Sequence, residues 1–266
     1  MILPSNSIIA DKYMVKDLIG QGAISEVYLV FDIVEKDFKA LKLLISSFLP
    51  GNHSLPSVMN QIEASFELKH PNIVPVIEIG STTEGIFLTM PFIKGRNLKN
   101  WMKSVKLSPP EALKALLSFI EEIGGAVEYA HGKGIIHRDI KPTNIMVDDE
   151  GKFHLLDFGA AAFGKRGPSQ GRTIFVGTPP YHPPKDFIRS THRGSIIDIY
   201  SFSYILVEMI GEFFSPISDL PSPLRKPLKD TVSILEKILN NKIKNEYTKI
   251  GNLCKDLQSY ISEKQI

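Results

Sequence analysis

The sequence predicts an α+β protein with two lobes: a smaller lobe with a five-stranded antiparallel sheet and one main helix, and a larger, mostly helical lobe. Short runs rich in Val, Ile, Leu, Tyr and Phe alternate with turn residues over the first ninety residues. After about residue 96 the apolar residues recur with the period of an α-helix. A chain of 266 residues, 43% of them hydrophobic, can form one large domain around a substantial core. We therefore expect a single domain over residues 1–266.

The smaller lobe is expected over about residues 1–90, with strands at 13–19, 26–31, 38–44, 73–79 and 86–90. The segment G-Q-G-A-I-S at 20–25 joins the first two strands, which predicts a hairpin with a glycine-rich tip. The main helix is expected over 57–69, because Val58, Ile62 and Phe66 recur every four residues.

A linker is expected at residues 91–95, followed by the larger lobe over about 96–266. The segment S-P-P-E at 108–111 combines an N-cap serine, prolines at the first turn and a glutamate three residues on, and predicts a helix that ends near residue 131. A second, mostly apolar helix is expected over 195–210. Four prolines between 216 and 227 interrupt the next stretch, and helices over about 231–239 and 247–261 complete the chain.

The composition excludes several classes of protein. The formal net charge of +2 gives no reason to expect binding to nucleic acid or to an anionic membrane surface. The single cysteine, Cys254, excludes an internal disulfide and suits a reducing compartment. No stretch reads as a signal peptide or as a membrane span. The expected location is therefore the cytoplasm.

The most informative stretch is residues 137–157. It begins with H-R-D-I-K-P-T-N (the H-R-D loop, residues 137–144) and ends thirteen residues after Asn144 at Asp157, which opens D-F-G. The stretch supplies two carboxylates, an ammonium group and an amide. Phosphoryl transfer needs an acceptor for a hydroxyl proton, a cation for the transferred group and oxygen ligands for magnesium.

These residues resemble the catalytic loop and D-F-G segment of eukaryotic-type protein kinases, and the resemblance spans about residues 13–261. It implies a bilobal kinase fold, with ATP and Mg²⁺ as cofactors. The H-R-D loop, the glycine-rich segment and the compact C-terminal part look most similar to the bacterial branch of the family.

For the transfer step, the resemblance implies a role for each polar residue. Asp139 would orient the substrate hydroxyl and accept its proton, and Lys141 would neutralise charge on the transferred group. A lysine at this position is similar to Ser/Thr kinases rather than tyrosine kinases. Asn144 and Asp157 would bind magnesium through oxygen atoms.

For the nucleotide, Gly20 and Gly22 resemble the first two glycines of the kinase glycine-rich loop, with Ser25 in the place of the third. Glycines let backbone N–H groups approach phosphate oxygens. Lys42, in A-L-K on the third strand, would hold the α- and β-phosphates. Val27 would form part of the roof over the adenine.

Ala40 would complete that roof, and Met146 would form the floor of the adenine pocket. Met90 falls at the gatekeeper position at the back of this pocket. Pro91 and Ile93 would contact the adenine through the linker backbone; Pro91 needs only its carbonyl there, so its missing N–H is tolerated. Core packing explains Val27, Ala40 and Met146 equally well when each is taken singly.

Lys42 of a kinase pairs with a helix glutamate, and here the sequence departs from the family pattern. Counting back from H-P-N-I-V at 70–74 reaches Gln61, whereas the nearest glutamate is Glu63. Either Glu63 makes the ion pair, which we favour, or Gln61 supplies a hydrogen bond without charge.

Regulation and docking are also implied by the resemblance. Arg138 accompanies control by loop phosphorylation in the family, and Thr173 is the best-placed acceptor, with Ser169 second. Thr178, in G-T-P-P-Y at 177–181, would bridge Asp139 and Lys141 where substrate docks.

Three further residues are expected to support the H-R-D loop. His137 and Phe158 would pack the loop, and Asp198 would accept hydrogen bonds from its backbone N–H groups.

The family's A-P-E triplet is replaced by P-P-K at 183–185. Because Glu246 takes the place of the arginine with which that glutamate pairs, Lys185 and Glu246 are predicted to form a charge-swapped bridge. The alternative is that they are two unrelated surface residues.

The predicted function is an ATP- and Mg²⁺-dependent protein serine/threonine kinase acting on a protein substrate. The alternative from another class is a pseudokinase, which Ser25, the Gln61 or Glu63 position and Lys185 favour. A small-molecule phosphotransferase is a third reading, against which Lys141 and the segment 177–181 argue.

Overall fold

The structure, a computed structural model, describes residues 2–22, 25–45, 66–158, 179–184, 194–240 and 247–262. It contains two compact units: Met1–Lys69 with Val74–Lys94, and His70–Ile73 with Gly95–Ile266. The boundary after Lys94 lies within the predicted linker. The tetrapeptide His70–Ile73 belongs to the second unit, although the chain on both sides of it belongs to the first.

The first unit contains a six-stranded antiparallel sheet in the order β1-β2-β3-β4-β6-β5. Its strands are β1 (Ile8–Ile9), β2 (Tyr13–Gln21), β3 (Ser25–Asp32), β4 (Asp37–Ile45), β5 (Glu78–Ser81) and β6 (Gly85–Pro91). The α+β prediction is confirmed, and the described residues form six strands rather than the predicted five. The additional edge strand β1 has only two residues, too few to give an alternating pattern. Most of the predicted main helix, residues 57–65, lies outside the described residues.

The fourth predicted strand, at 73–79, is wrong over most of its length. Only β5, over Glu78–Ser81, is a strand there. Ile73 instead forms an isolated parallel bridge with Leu155 in the second unit. The sequence of an apolar run does not show which strand it pairs with. Here Ile73 pairs with Leu155 of the second unit, whereas β5 pairs with β6 of the first unit.

One face of the first sheet forms the core of the first unit. Side chains alternate between the two faces of a strand, so the buried residues recur every second position. Tyr13 and Phe87 meet edge to face with ring centroids 6.0 Å apart. The cluster consists of Ile9, Tyr13, Val15, Tyr28, Val30, Leu41, Leu43 and Phe87.

In the described residues, the second unit contains five helices and a small sheet. The helices are α1 (Leu98–Ser104), α2 (Pro109–Gly132), α3 (Ser195–Phe214), α4 (Ser222–Leu239) and α5 (Ile250–Ser262). The antiparallel sheet contains β7 (Gly95–Asn97), β8 (Ile145–Asp148) and β9 (Phe153–Leu155) in that order. None of the described helices combines the length and apolar character that a membrane crossing requires.

Helix α2 begins where the sequence predicts. The Glu111 carboxylate accepts hydrogen bonds from the backbone N–H of Ser108, at 2.8 Å, and from its hydroxyl, at 2.6 Å. This contact fixes the first turn of the helix. The buried face of α2 includes Leu113, Leu116, Phe119, Ile120, Ile123, Val127 and Ala130.

The prolines between 216 and 227 do not exclude a helix, contrary to the prediction. Helix α4 begins at Ser222 and tolerates Pro223 in its first turn, where no N–H partner is needed. Pro227 lies inside the helix and is buried. Burial of an apolar face against the rest of the second unit outweighs the unfavourable local propensity.

Candidate active site

Four of the residues predicted to bind nucleotide lie on one face of the first sheet. Val27 is directly opposite Lys42, and Ala40 is directly opposite Met90. Residues paired in this way across antiparallel strands point to the same side of the sheet. Ala40 and Lys42 are two residues apart on β4, and therefore they share that side as well. The opposite side carries the buried core of this unit.

The two glycines lie at the turn end of the β2–β3 hairpin, where β2 ends and β3 begins. Gly20 is opposite Val27, and the Gly22 N–H donates to the Ser25 carbonyl at 2.7 Å. A Cβ added at Gly20 would lie 3.5 Å from the Val27 Cβ, an ordinary contact. Packing within the hairpin therefore does not itself require glycine at position 20.

The other predicted pocket residues lie in different elements. Pro91 is the last residue of β6 and pairs with Lys39, so the strand extends into the predicted linker. Ile93 is half-buried and outside regular secondary structure. Met146 lies on β8 of the second unit, half-buried between the fully buried Ile145 and Val147.

The H-R-D loop brings three of its polar side chains together. Lys141 Nζ lies 2.7 Å from Asp139 Oδ2. The Asn144 amide nitrogen donates to the backbone carbonyl of Asp139 at 2.9 Å and to its Oδ2 at 3.1 Å. This orientation leaves the side-chain oxygen of Asn144, Oδ1, as the atom that could bind a cation.

A buried carboxylate on α3 holds the beginning of this loop. Asp198, which is 0% exposed, accepts hydrogen bonds from the backbone N–H of His137 at 2.8 Å and of Arg138 at 2.7 Å. The predicted role of Asp198 is thereby confirmed. Arg138 has a φ of 68°, a left-handed conformation that is uncommon for a residue other than glycine. The carboxylate bonds to the N–H of this unfavourable residue and stabilises the turn that precedes Asp139.

The same loop contacts the chain immediately before Asp157. The Leu156 N–H donates to the backbone carbonyl of Asn144 at 2.8 Å. The His137 ring nitrogen Nε2 lies 2.8 Å from the backbone carbonyl of Leu156. The His137 and Phe158 rings are 4.6 Å apart, in agreement with their predicted packing role. Asp157 has a φ of 65°. The two ends of the stretch 137–157 therefore meet within the second unit.

The Arg138 guanidinium is partly buried. Burial lowers its pKa, and the charge of Asp198 opposes that effect. Its Nη1 has no hydrogen-bond partner among the described residues.

Several predicted sites lie outside the described residues, namely Gln61, Glu63, Ser169, Thr173, Thr178, Lys185 and Glu246.

Sequence reasoning missed His131, whose Nε2 lies 2.8 Å from Asp198 Oδ2. It also missed the contacts of Tyr181, whose hydroxyl donates to the Glu208 carboxylate at 3.0 and 3.2 Å. The Ser201 hydroxyl donates to the Tyr181 carbonyl at 2.7 Å. Glu208 had a signal in the sequence, because a carboxylate within an apolar helix needs a partner. Burial raises its pKa, although the Tyr181 hydroxyl acts in the opposite direction.

Comparison with known proteins gives a family match over nearly the whole chain. The family described as "Protein kinase domain" matches residues 13–265. The serine/threonine-protein kinase PknD of Chlamydia caviae is 31% identical, and the match covers 85% of this chain and 26% of that protein. PknD of Protochlamydia amoebophila is 27% identical, with 95% of this chain and 30% of that protein covered. The chain therefore spans about a third or less of the length of these relatives.

A solved structure has a similar fold. The crystal structure of the Mycobacterium tuberculosis PknI kinase domain superposes with a TM-score of 0.69 at 20% sequence identity. The match covers 98% of this chain and all of that chain.

Proposed function

Because this chain belongs to the protein kinase domain family, we propose that it is a protein serine/threonine kinase that transfers the γ-phosphoryl group of ATP to a protein hydroxyl. The observation that carries the proposal is the contact of Asp139, Lys141 and Asn144 within one loop. The names of its relatives, serine/threonine-protein kinases from bacteria among them, support the same activity. They also support the predicted bacterial branch.

The three residues proposed to take part in phosphoryl transfer, Asp139, Lys141 and Asn144, have a geometry suited to those roles. The Asp139 carboxylate, with 17% of its side chain exposed, would orient a substrate hydroxyl and accept its proton. Its ion pair with Lys141 keeps a positive charge beside the point where a phosphoryl group would pass. The bond from Asn144 to Asp139 fixes both side chains before substrate arrives.

The donor set fits magnesium. Asn144 would offer its carbonyl oxygen and Asp157 its carboxylate, and magnesium prefers such hard oxygen ligands. When bound, magnesium neutralises charge on the phosphates of the nucleotide. The bonds from the H-R-D loop to Leu156 hold the backbone next to Asp157 and so limit where its carboxylate can point.

The first unit would hold ATP on the sheet face that carries Val27, Ala40, Lys42 and Met90. Lys42 would neutralise the α- and β-phosphates, and the three apolar side chains would contact the adenine. Gly20 and Gly22 would allow backbone N–H groups to approach the phosphates. Pro91, Ile93 and Met146 remain the proposed linker and floor contacts.

Regulation and docking are also proposals. A phosphate on Thr173 would find a partner in Arg138, whose buried guanidinium nitrogen favours a negative charge nearby. Thr178 would contact Asp139 and Lys141, and Glu63, or Gln61 in its place, would pair with Lys42. Apart from Ser25 in the place of the third glycine, no observation among the described residues favours a pseudokinase or a small-molecule phosphotransferase over the kinase. We infer a protein substrate and a cytoplasmic location, with no role for nucleic acid or membranes.

The decisive test is transfer from labelled ATP to a generic protein acceptor in the presence of Mg²⁺. We expect the wild type to label the acceptor and Asp139→Asn to lose nearly all transfer while it retains its thermal stability. Glu150→Gln, which changes an exposed carboxylate in the turn after β8, is the matched control and should transfer at the wild-type rate. Equal transfer by the wild type and Asp139→Asn would overturn the proposal.

A further inference from the structure

The tetrapeptide His70–Ile73 is bound to the second unit through Asn72. The Asn72 side chain is buried, and its amide nitrogen donates to the Phe153 carbonyl at 2.8 Å. The same nitrogen donates to Glu122 Oε2 at 3.1 Å. The Asn72 backbone carbonyl accepts a hydrogen bond from the Leu155 N–H at 2.8 Å. Asn72 therefore contacts β9 through its side chain and its backbone.

Glu122, on α2, completes this arrangement. Its Oε2 also accepts a hydrogen bond from the Phe153 N–H at 2.7 Å. Burial raises the pKa of the Glu122 carboxyl, and the Phe153 N–H acts against that rise. A partly buried carboxylate of this kind is stabilised by the donors that face it. Here those donors come from Phe153 and Asn72.

Asn72 and Glu122 bond to three of the backbone groups on one edge of β9. This strand has only three residues, and β8 pairs with its other edge. The Phe153 N–H, the Phe153 carbonyl and the Leu155 N–H all bond to Asn72 or Glu122. Strand β9 thus has β8 on one side. On the other side it has Asn72 and Glu122, which lie far from it in the sequence, together with the bridge from Ile73 to Leu155.

Strand β9 leads directly to Asp157. Leu155 is held by Asn72, Leu156 is held by Asn144 and His137, and Asp157 follows with its left-handed backbone. A change in the position of β9 would move the attachment point of the Asp157 carboxylate. Metal sites are sensitive to such displacements, because the ligand oxygens must reach one point together.

We propose that Asn72 and Glu122 are positioning residues for Asp157, and that through β9 they set the affinity of the proposed magnesium site. This inference rests on the proposed function, because it assumes that Asp157 is a metal ligand. A purely structural role would lower the stability of the fold without changing the metal affinity of the folded protein.

The test is the binding of Mn²⁺, a spectroscopic substitute for Mg²⁺, to the full chain in the presence of a non-hydrolysable ATP analogue. We expect Asn72→Ala and Glu122→Ala each to weaken Mn²⁺ binding about 10-fold, the lower end for residues that orient metal ligands. Glu122→Gln, which retains an oxygen for the Phe153 N–H, should recover most of the affinity. Glu121→Ala, an exposed neighbour on α2, is the matched control and should bind like the wild type.

A second readout detects the displacement itself. Amide hydrogen exchange at residues 153–158 should accelerate in Asn72→Ala and Glu122→Ala, with the rest of the second unit unchanged. Variants that lose stability but keep wild-type Mn²⁺ affinity would overturn the inference and leave the proposed function intact. A wild type that binds no Mn²⁺ with the analogue would overturn both.

Discussion

Two buried aspartates, one in each unit, accept similar hydrogen bonds but hold different parts of the chain in place. Asp32 ends β3 in the first unit and is 1% exposed, and Asp198 on α3 in the second unit is 0% exposed. Each carboxylate accepts two backbone N–H groups. The donors to Asp32 are Val34 and Glu35, two and three residues away, at 2.9 and 3.0 Å. The donors to Asp198 lie sixty and more residues away.

The difference lies in what each carboxylate holds in place. Asp32 closes the turn of its own β3–β4 hairpin, and the pairing of the two strands also specifies that turn. Asp198 holds His137 and Arg138, which continue directly into Asp139 and Lys141. Local contacts of the first kind can be replaced by other turn-forming residues. The contacts of Asp198 have no local substitute, so they determine the conformation of the H-R-D loop.

The largest effect is expected for Asp198→Asn. Asparagine has one acceptor oxygen, and its amide nitrogen would face donors, so at least one buried N–H would lose its partner. The free energy of unfolding should fall by about 3 kcal/mol, measured in urea. Displacement of the loop should reduce the transfer rate of the folded protein about 100-fold. A variant that unfolds more easily but transfers at the wild-type rate would contradict the comparison.

An intermediate effect is expected for His131→Ala. The variant removes the side chain that contacts Asp198 Oδ2, but it leaves both backbone donors in place. Stability should fall by about 1.5 kcal/mol, as for a hydrogen bond to a charged group. The maximal rate should decrease more than the KM for ATP increases, because the loop is displaced while the nucleotide contacts remain. His131→Gln, which can donate to the same oxygen, should restore most of the rate.

A smaller effect is expected for Asp32→Asn. The asparagine oxygen can still accept from the N–H groups of Val34 and Glu35, and only the charge beside Lys12, whose Nζ lies 3.6 Å from Asp32 Oδ2, is lost. The free energy of unfolding should fall by about 1 kcal/mol, and transfer per folded molecule should be unchanged. A loss of transfer as large as that of Asp198→Asn would remove the distinction between the two aspartates.

The smallest effect is a pH dependence of the Asp32 contribution. Burial alone would raise the pKa of this carboxyl, but the N–H groups of Glu35 and Val34 and the charge of Lys12 together lower it below its ordinary value. A lowered pKa gives stability that is present above the pKa of the unfolded chain and is lost as the pH falls through the folded value.

The difference in stability between the wild type and Asp32→Asn should therefore be present at neutral pH and shrink in acid. Urea unfolding of both proteins at pH 7 and at a pH below the ordinary aspartate pKa of about 3.9 checks this. A difference that grows on acidification would show that the sign is wrong.

The sequence predicts most of what depends on neighbouring residues. The capping of α2 by Glu111 and the alternation of β3 and β4 follow from local patterns. The position of Asp198 follows from the resemblance to a known family. The prolines of α4 lead to a wrong prediction, because helix propensity depends on the local sequence. The burial that outweighs it depends on residues elsewhere in the chain.

The contacts of Asn72, Glu122 and His131 could not be predicted, since each joins residues that are distant in the sequence. Asn72 looks like a turn residue beside a proline, and Glu122 looks like an ordinary surface glutamate of an amphipathic helix. Only the fold brings Asn72 and Glu122 to the edge of β9.

The membership of His70–Ile73 in the second unit means that the two units are interleaved along the chain rather than placed one after the other. A fragment excised at Gly95 would contain every helix described for the second unit but would lack Asn72. One edge of β9 would then keep only its bond to Glu122 and would be partly open, and open strand edges tend to associate with other chains. An exchange of the second unit between related proteins would therefore have to include His70–Ile73, although this tetrapeptide lies within the sequence of the first unit. The two units cannot be exchanged independently of each other without the loss of these contacts.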